Sequence, residues 1–126
     1  MNTILIVHGK EQCVLDLADN RLAGSILQRI AIGDETMNGS VSESNAVIVE
    51  LPDTADDAIG HAEEWIRAHL VPLSECSATK TIEFQTFLEP DIGSRILTVP
   101  NSFVKLCADS GLGIANQSFN VIPNQE

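Results

Sequence analysis

Several residues of types that can bind a metal ion lie close together in one stretch of the sequence. They are His61, Glu63, Glu64 and His69. Imidazole and carboxylate ligands must converge on one point to bind a metal. On a helix, His61 and His69 would lie roughly 80° apart around the axis, and the pairing of a glutamate with a histidine three residues later, which di-iron bundles use, is missing. We therefore predict no metal site and no cofactor.

A second position with possible chemistry is His8. It follows the β-branched run 3–7 and precedes Gly9, so the sequence places it at the end of a strand. Side chains at such positions often bind ligands or act in catalysis. The sequence shows no partner residue for this histidine. A small-molecule-binding protein or an enzyme, with a pocket at a sheet end near His8, is therefore the alternative function.

The three cysteines, Cys13, Cys76 and Cys107, are odd in number and far apart in sequence, which argues against a disulfide framework. Cys107 falls on the apolar side of a predicted helix and Cys13 in a predicted strand, as is typical of thiols that pack as small apolar groups. The acidic neighbour Glu75 disfavours a thiolate at Cys76. We predict three reduced thiols and no disulfide.

Acidic residues dominate this chain of 126 residues, with 18 Asp and Glu against 7 Lys and Arg and a formal net charge of −11. Such a surface repels nucleic acids and anionic membranes and suits a basic protein partner, although it also serves solubility alone. No apolar run approaches the roughly 20 residues that cross a bilayer, and the run 4–7 is too short for a signal-peptide core. These features predict a cytoplasmic protein.

The clearest local pattern is the stretch 53–70, which predicts a helix with one apolar and one acidic face. Its apolar arc includes the chain's only tryptophan, Trp65, which we predict to be buried against a sheet. The early acids suit the positive end of the helix dipole, with Asp53 or Thr54 as the N-cap. Pro72 is predicted to end the helix.

A loop and the acidic face of this helix form the predicted partner surface. The loop 33–44 has no apolar periodicity and is rich in Gly, Ser, Asn and acids, so it is predicted to be exposed and mobile, with a tight turn at Asn38 and Gly39. Attraction between such acids and a basic protein mainly speeds association. The predicted partner-binding residues are Asp34, Glu35, Glu43, Asp56, Asp57, Glu63 and Glu64.

The apolar patterns of the whole chain predict an α+β fold, a single domain of residues 1–126 in which one mostly antiparallel sheet is backed by about three helices. The run 45–51 is apolar on both faces, which indicates a strand inside the sheet, and 79–89 alternates as a half-exposed strand does. The other predicted elements are strands at 3–7, 13–18, 95–99 and 113–122, and helices at about 20–30 and between Pro100 and Gly111.

The segment 13–30 admits two interpretations. A helix that starts near Leu15 would place Asp19 on its apolar face. A hairpin strand at 13–18, followed by a helix capped at Asp19 or Asn20, avoids this conflict. We therefore predict the second arrangement.

The C-terminal part, TKTIEFQTFLEPDIGSRILTVPNSFVKLCADSGLGIANQSFNVI (79–122), combines a strand pair, the pattern L-x-[LV]-P, a helix, a glycine and a last strand. It resembles a family of small uncharacterised bacterial domains, some of which are similar to immunity proteins of toxin systems. No functional residue is carried over by this resemblance. Together with the charge, it favours a non-enzymatic acidic binding protein, an immunity-type inhibitor of a basic partner protein.

Overall fold

The order of helices and strands is given by a computed structural model, which describes residues 2–22, 25–52, 57–88 and 98–120. Within these residues the chain has an α+β fold, as predicted, with four helices beside one sheet; a π-helical turn, Leu17–Arg21, continues the first helix. The elements are β1 (Asn2–Gly9), α1 (Cys13–Asp16), β2 (Ser25–Ile30), β3 (Asn45–Glu50), α2 (Ala58–Ala68), α3 (Leu70–Glu75), β4 (Thr79–Leu88), α4 (Asn101–Asp109) and β5 (Leu112–Asn120).

The sheet has the strand order β2-β3-β1-β4-β5 and is mostly antiparallel. The central strand β1 pairs antiparallel with β3 and with β4, so that Leu5 lies between Val49 and Ile82. β2 pairs antiparallel with β3, whereas β5 pairs parallel with β4. The elements from β1 to β4 thus form a split β-α-β unit of the ferredoxin-like type, to which α4 and β5 add a parallel edge strand.

The core lies on one face of this sheet. Successive residues of a strand point to opposite faces, and those on the covered face, such as Leu5 and Val47, are fully buried. They form one apolar cluster with helix residues that include Trp65 of α2 and Phe103 of α4. Ile6, on the other face, is only half-buried. The helices therefore cover one face of the sheet and leave the other more open.

The segment 13–30 contradicts our prediction, because its first part is helical and its second part is a strand. Asp19, the residue that argued against a helix, is exposed and binds Arg29 at 2.8 Å. It lies in the π-helical turn, where the Leu22 amide bonds to the Leu17 carbonyl five residues earlier, at 3.1 Å. This wider turn shifts Asp19 away from the apolar side that an α-helix would give it.

A β-bulge explains why β2 resembled a helix. The register of β2 against β3 shifts between Ile26 and Gln28, and the intervening Leu27 is exposed. The extra residue resets the alternation of faces. As a result, Ile26, Leu27 and Ile30 take the spacing of a helical face although they belong to a strand.

The helix predicted at 53–70 is present as α2, but it begins later. Its first residue is Ala58, and its N-cap is Asp57, whose carboxylate accepts a hydrogen bond from the Gly60 amide at 3.0 Å. The predicted caps, Asp53 and Thr54, lie outside the described residues. Asp57, one of the predicted partner-binding acids, is exposed, and its carboxylate also fixes the first turn of α2.

Pro72 ends α2 four residues before its own position. Residue Pro72 cannot donate a backbone hydrogen bond, and its ring clashes with the carbonyl four residues earlier, which is that of Ala68. α2 accordingly ends at Ala68, and α3 begins at Leu70. Pro72 then lies in the first turn of α3, where no amide donor is needed.

The C-terminal elements agree in part with the sequence. α4 ends before Gly111, whose φ of +72° is a left-handed conformation that favours glycine. The last strand is β5, and its pairing with β4 stacks Phe119 on Phe87, with ring centroids 5.4 Å apart. The turn predicted at 89–93 and most of the strand predicted at 95–99 lie outside the described residues.

The anchoring of α2 can be tested at Trp65, which is 7% exposed and belongs to the core cluster, as predicted. Trp65→Ala should lower the free energy of unfolding, measured by urea melts, by about 3 to 5 kcal/mol, because transfer energy is lost and a cavity remains. The control is Val71→Ala, at a residue 60% exposed, which should change it by less than about 0.5 kcal/mol. A loss below about 1 kcal/mol at Trp65 would contradict its anchoring role.

Candidate functional site

The described surface has a surplus of acids, because most basic residues are either paired with an acid or buried. Four of them form ion pairs, with N···O distances of 2.8 to 3.4 Å. Lys80 is buried. Lys10 is therefore the remaining lysine or arginine among the described residues that is exposed and outside these ion pairs. The surplus acids therefore have few cations near them. The pairs are Arg21 with Glu75, Arg29 with Asp19, Arg67 with Glu63 and Lys105 with Asp109.

The connection between β2 and β3, which we call the 31–44 loop, is closed by its own hydrogen bonds. The Gly33 amide bonds to the Ser42 carbonyl at 2.9 Å, and the Ser42 amide bonds to the Asp34 carbonyl at 2.8 Å. Gly39 turns the chain at the tip with a φ of +83°, which glycine adopts without strain. The loop is exposed, as predicted, and has the form of a small hairpin.

Side chains fasten this hairpin at its base and at its tip. At the base, the buried Asn45 accepts a hydrogen bond from the Ile32 amide at 2.9 Å and donates one to the Glu11 carbonyl at 3.2 Å. At the tip, three polar side chains bond to one another, namely those of Thr36, Asn38 and Ser40. The loop is therefore preorganised before any partner arrives.

The surface of the 31–44 loop is both acidic and apolar. Met37 at its tip is fully exposed, and Ile32 and Val41 are exposed beside it. Among the described residues, Glu35 and Glu43 form no ion pair or side-chain hydrogen bond, whereas the third acid, Asp34, accepts a bond from the Ala31 amide at 2.8 Å. All three acids are exposed.

The structure does not bring all of the predicted partner-binding acids together. The 31–44 loop precedes Asn45, which pairs with Gly9. α2 follows the other end of β3, where the Leu51 amide bonds to the Thr3 carbonyl at 3.0 Å. A strand of this length spans about 17 Å, so the first residue before α2, Asp57, is remote from the loop.

On α2 itself, the predicted acids differ in what they can offer a partner. Glu63 is held by Arg67 at 2.8 Å, and Asp57 is occupied as the N-cap. Glu64 is exposed and forms no such bond within the described part of the chain. Asp56 lies outside the described residues. Glu64 is thus the carboxylate of this helix that is available for binding.

His8 is exposed at the end of β1, where it pairs with Ala46 and so lies at the same sheet end as the 31–44 loop. Two cavities of the described residues, of about 100 and 180 Å³, are lined by other residues. Both are smaller than the roughly 300 to 1,000 Å³ of usual ligand sites. Among the described residues, no group of three or more side chains could hold a metal ion.

Cys13 and Cys76 form a disulfide, so the prediction of three reduced thiols was wrong. Their Cα atoms lie 5.6 Å apart although 63 positions separate them in sequence. The contact arises because Cys13 begins α1, rather than a strand, and α1 packs beside the end of α3. Cysteine spacing carries no signal of this pairing, since the fold alone brings the two elements together. Cys107 remains a free, buried thiol.

Lys80 is a second buried group that we did not predict. It is 5% exposed, and its Nζ donates to the carbonyl of Leu73, at 2.5 Å, and to the carbonyl of Cys76. These oxygens lie at the carboxyl end of α3, where carbonyls lack helical partners. Burial lowers the pKa of Lys80. A signal was present, because the alternation of β4 places Lys80 on the same face as Ile82.

The fold and this surface define an acidic α+β protein with a preorganised loop and a disulfide that lines a cavity. No family model, curated protein or solved structure matches the chain. The resemblance of 79–122 to small bacterial domains therefore stays a prediction. No helix of the described residues is long and apolar enough to cross a membrane.

The disulfide makes two measurable differences. Unfolded without reductant, the protein should expose one reactive thiol per chain, that of Cys107, because the other two cysteines are bonded. Reduction should lower the free energy of unfolding by about 4 kcal/mol, since the bond closes a long loop of the unfolded chain. Thiol titration and urea melts measure these quantities. Three reactive thiols together with unchanged stability would contradict the disulfide.

The buried thiol of Cys107 should make stability depend on pH. Burial raises its pKa from 9.0 to about 11, so the folded protein keeps the proton over a range where the unfolded chain loses it. Stability from this group is complete below pH 9.0 and declines as the pH rises toward 11, with a loss of about 2 kcal/mol at the upper end.

Urea melts of the wild type and of Cys107→Ala over this range isolate the effect. Lys80 contributes equally to both proteins, so the difference between their stabilities reports Cys107 alone. That difference should shrink by about 2 kcal/mol as the pH rises through this range. A difference that stays constant with pH would show that the thiol is not perturbed.

Proposed function

We propose that the chain is a non-enzymatic binding protein whose acidic surface binds a basic protein partner, in the manner of an immunity-type inhibitor. The observation that carries this proposal is the pairing of most basic residues with other acids, which leaves Glu35 and Glu43 of the 31–44 loop exposed and outside any ion pair among the described residues. Unbalanced surface charge attracts an oppositely charged protein over about 8 Å at physiological salt.

The form of the 31–44 loop supports the same proposal. A loop that is already ordered loses less conformational entropy on binding than a flexible one. At its tip, Met37 offers an exposed, adaptable apolar side chain, and methionine is enriched in protein interfaces. We propose that Met37 enters an apolar depression of the partner while Glu35 and Glu43 face basic residues around it.

The cytoplasm is the compartment that we propose for this binding. The disulfide bears on this point, because disulfides of cytosolic proteins are usually transient and redox-sensing. A permanent disulfide would instead fit an oxidising compartment. Thiol alkylation of intact cells, before lysis, distinguishes the two by showing whether Cys13 and Cys76 are bonded where the protein acts.

The two parts of the loop should affect binding differently. After the partner is isolated by crosslinking, association of a variant with Glu35→Gln and Glu43→Gln should be about three to ten times slower at low salt, because attraction raises the rate of encounter. Met37→Ala should instead speed dissociation by about tenfold, as loss of an apolar anchor does. Surface plasmon resonance at low and high salt measures both rates.

A variant with Asp16→Asn and Glu50→Gln is the matched control, since it removes the same charge from exposed sites outside the loop. Its association rate should stay within about twofold of the wild type. An association rate that is equal for the loop variant and the control, or that does not change with salt, would contradict the proposal. A crosslinked partner without a basic surface would contradict it as well.

A further inference from the structure

We propose that the Cys13–Cys76 disulfide is a thiol–disulfide exchange site, at which a dithiol reductant attacks the Sγ of Cys13 through the cavity of about 100 Å³ between α1 and α3. Both cysteines line this cavity, together with residues that include Leu17, Arg21 and Glu75. The proposal does not depend on the partner-binding function. It concerns a modification of the protein itself.

Access decides which sulfur is attacked. Cys76 is 2% exposed and belongs to the core, whereas Cys13 is half-buried at the edge of the core. An attacking thiolate must reach one sulfur and displace the other. Both cysteines line the cavity, but Cys13 is the more exposed of the two, so an attacking thiolate reaches its sulfur and Cys76 becomes the leaving group.

The charge around the cavity selects the attacking species. Arg21 lies in the lining, where its positive charge offsets part of the negative charge that an approaching thiolate meets. It is held there by Glu75, at 2.8 Å. With Asp16 also in the lining, the cavity carries two carboxylates and one guanidinium. A neutral dithiol should thus react more readily than a reductant that carries additional negative charge.

The exchange balances without any other reactant. One thiolate of the dithiol bonds to the Sγ of Cys13, the disulfide breaks, and Cys76 leaves with the electron pair and takes a proton. The second thiol of the reductant then attacks the first sulfur of the reductant, which is bonded to Cys13 in the mixed disulfide. This step releases the Cys13 thiolate, which is protonated in turn. The dithiol becomes a disulfide, and its two electrons and two protons reduce the protein to two thiols.

The structure also favours the return reaction. Lys80 fixes the backbone on the Cys76 side through the carbonyls of Leu73 and Cys76. On the other side, the buried Val14 and Leu17 hold the helix that begins at Cys13. Because neither set of contacts involves the sulfur atoms, both thiols should stay within reach of one another after reduction.

The kinetics of reduction of the native protein test this proposal. Wild-type protein is incubated with dithiothreitol, alkylated, and mapped by mass spectrometry, while circular dichroism confirms that it stays folded. The rate should rise in proportion to the dithiothreitol concentration, as direct attack requires. A rate that does not depend on this concentration, or reduction only after unfolding, would overturn the proposal.

The site of attack is tested by a low concentration of 2-mercaptoethanol, a monothiol whose mixed disulfide with the protein persists until a second molecule attacks it. Alkylation at early times traps this adduct. The adduct should be found on Cys13, with the alkylated thiol on Cys76, and adducts mainly on Cys76 would overturn the assignment. Removing dithiothreitol and adding its oxidised form should restore the Cys13–Cys76 bond; pairing with Cys107 instead would contradict reversibility.

Arg21→Gln should slow the reduction at least about threefold at equal thiolate concentration, because the cavity loses its cation. Arg29→Gln is the control, since Arg29 is an ion-paired residue of nearly equal exposure that does not line the cavity. Equal rates for the two variants would overturn the role of Arg21. A low-salt and high-salt comparison of the wild type provides the second measurement. Because the cavity carries two carboxylates and one guanidinium, salt should screen a net repulsion of the thiolate and speed the reduction; a rate that falls with salt would contradict this charge balance.

Discussion

The packing of the described helices against one face of the sheet is the constraint on which the rest of the structure depends. β1 has a strand on each side, so its covered side chains, Leu5 and Val7, are removed completely from water. Burial of each such side chain contributes about 1.5 to 3 kcal/mol. The helices pack on this face, whereas the acidic 31–44 loop, which connects β2 and β3, lies at one end of the sheet.

The parts of the fold that were predictable have a regular local pattern. The pattern of apolar residues predicted which faces are buried in three elements. These are the alternation in β4, the apolar run of β3 and the apolar and acidic faces of the helix around Trp65. The α+β class followed from these patterns. The end of α4 shortly before Gly111 could also be predicted, because the left-handed conformation that ends many helices favours glycine.

The parts that were not predictable depend on irregular backbone or on contacts between distant residues. A bulge at Leu27 gave a strand the spacing of a helix, and a π-helical turn moved Asp19 to the surface. The Cys13–Cys76 bond could not be predicted because 63 positions, half the length of the chain, separate its partners. For the candidate site, the sequence identified the acids of the 31–44 loop but not the bonds that order it.

Two features of the surface follow from these contacts. At one end of the sheet, Asn45 holds a loop whose acids face solvent. On the helical side, Lys80 and the core bury Cys76, whereas Cys13 is more exposed in the cavity that both residues line. Both features require that α1 is a helix and that β2 is an edge strand of the sheet.

Nuclear Overhauser contacts across β2, β3 and β1 test this arrangement most directly. The structure pairs Arg29 with Val47, and Val47 with Val7. Backbone contacts should therefore connect these three residues in one row across the sheet. Strong contacts between successive amides over 20–30, as in a helix, without a contact between Arg29 and Val47, would contradict the fold and with it the position of the loop and the cavity.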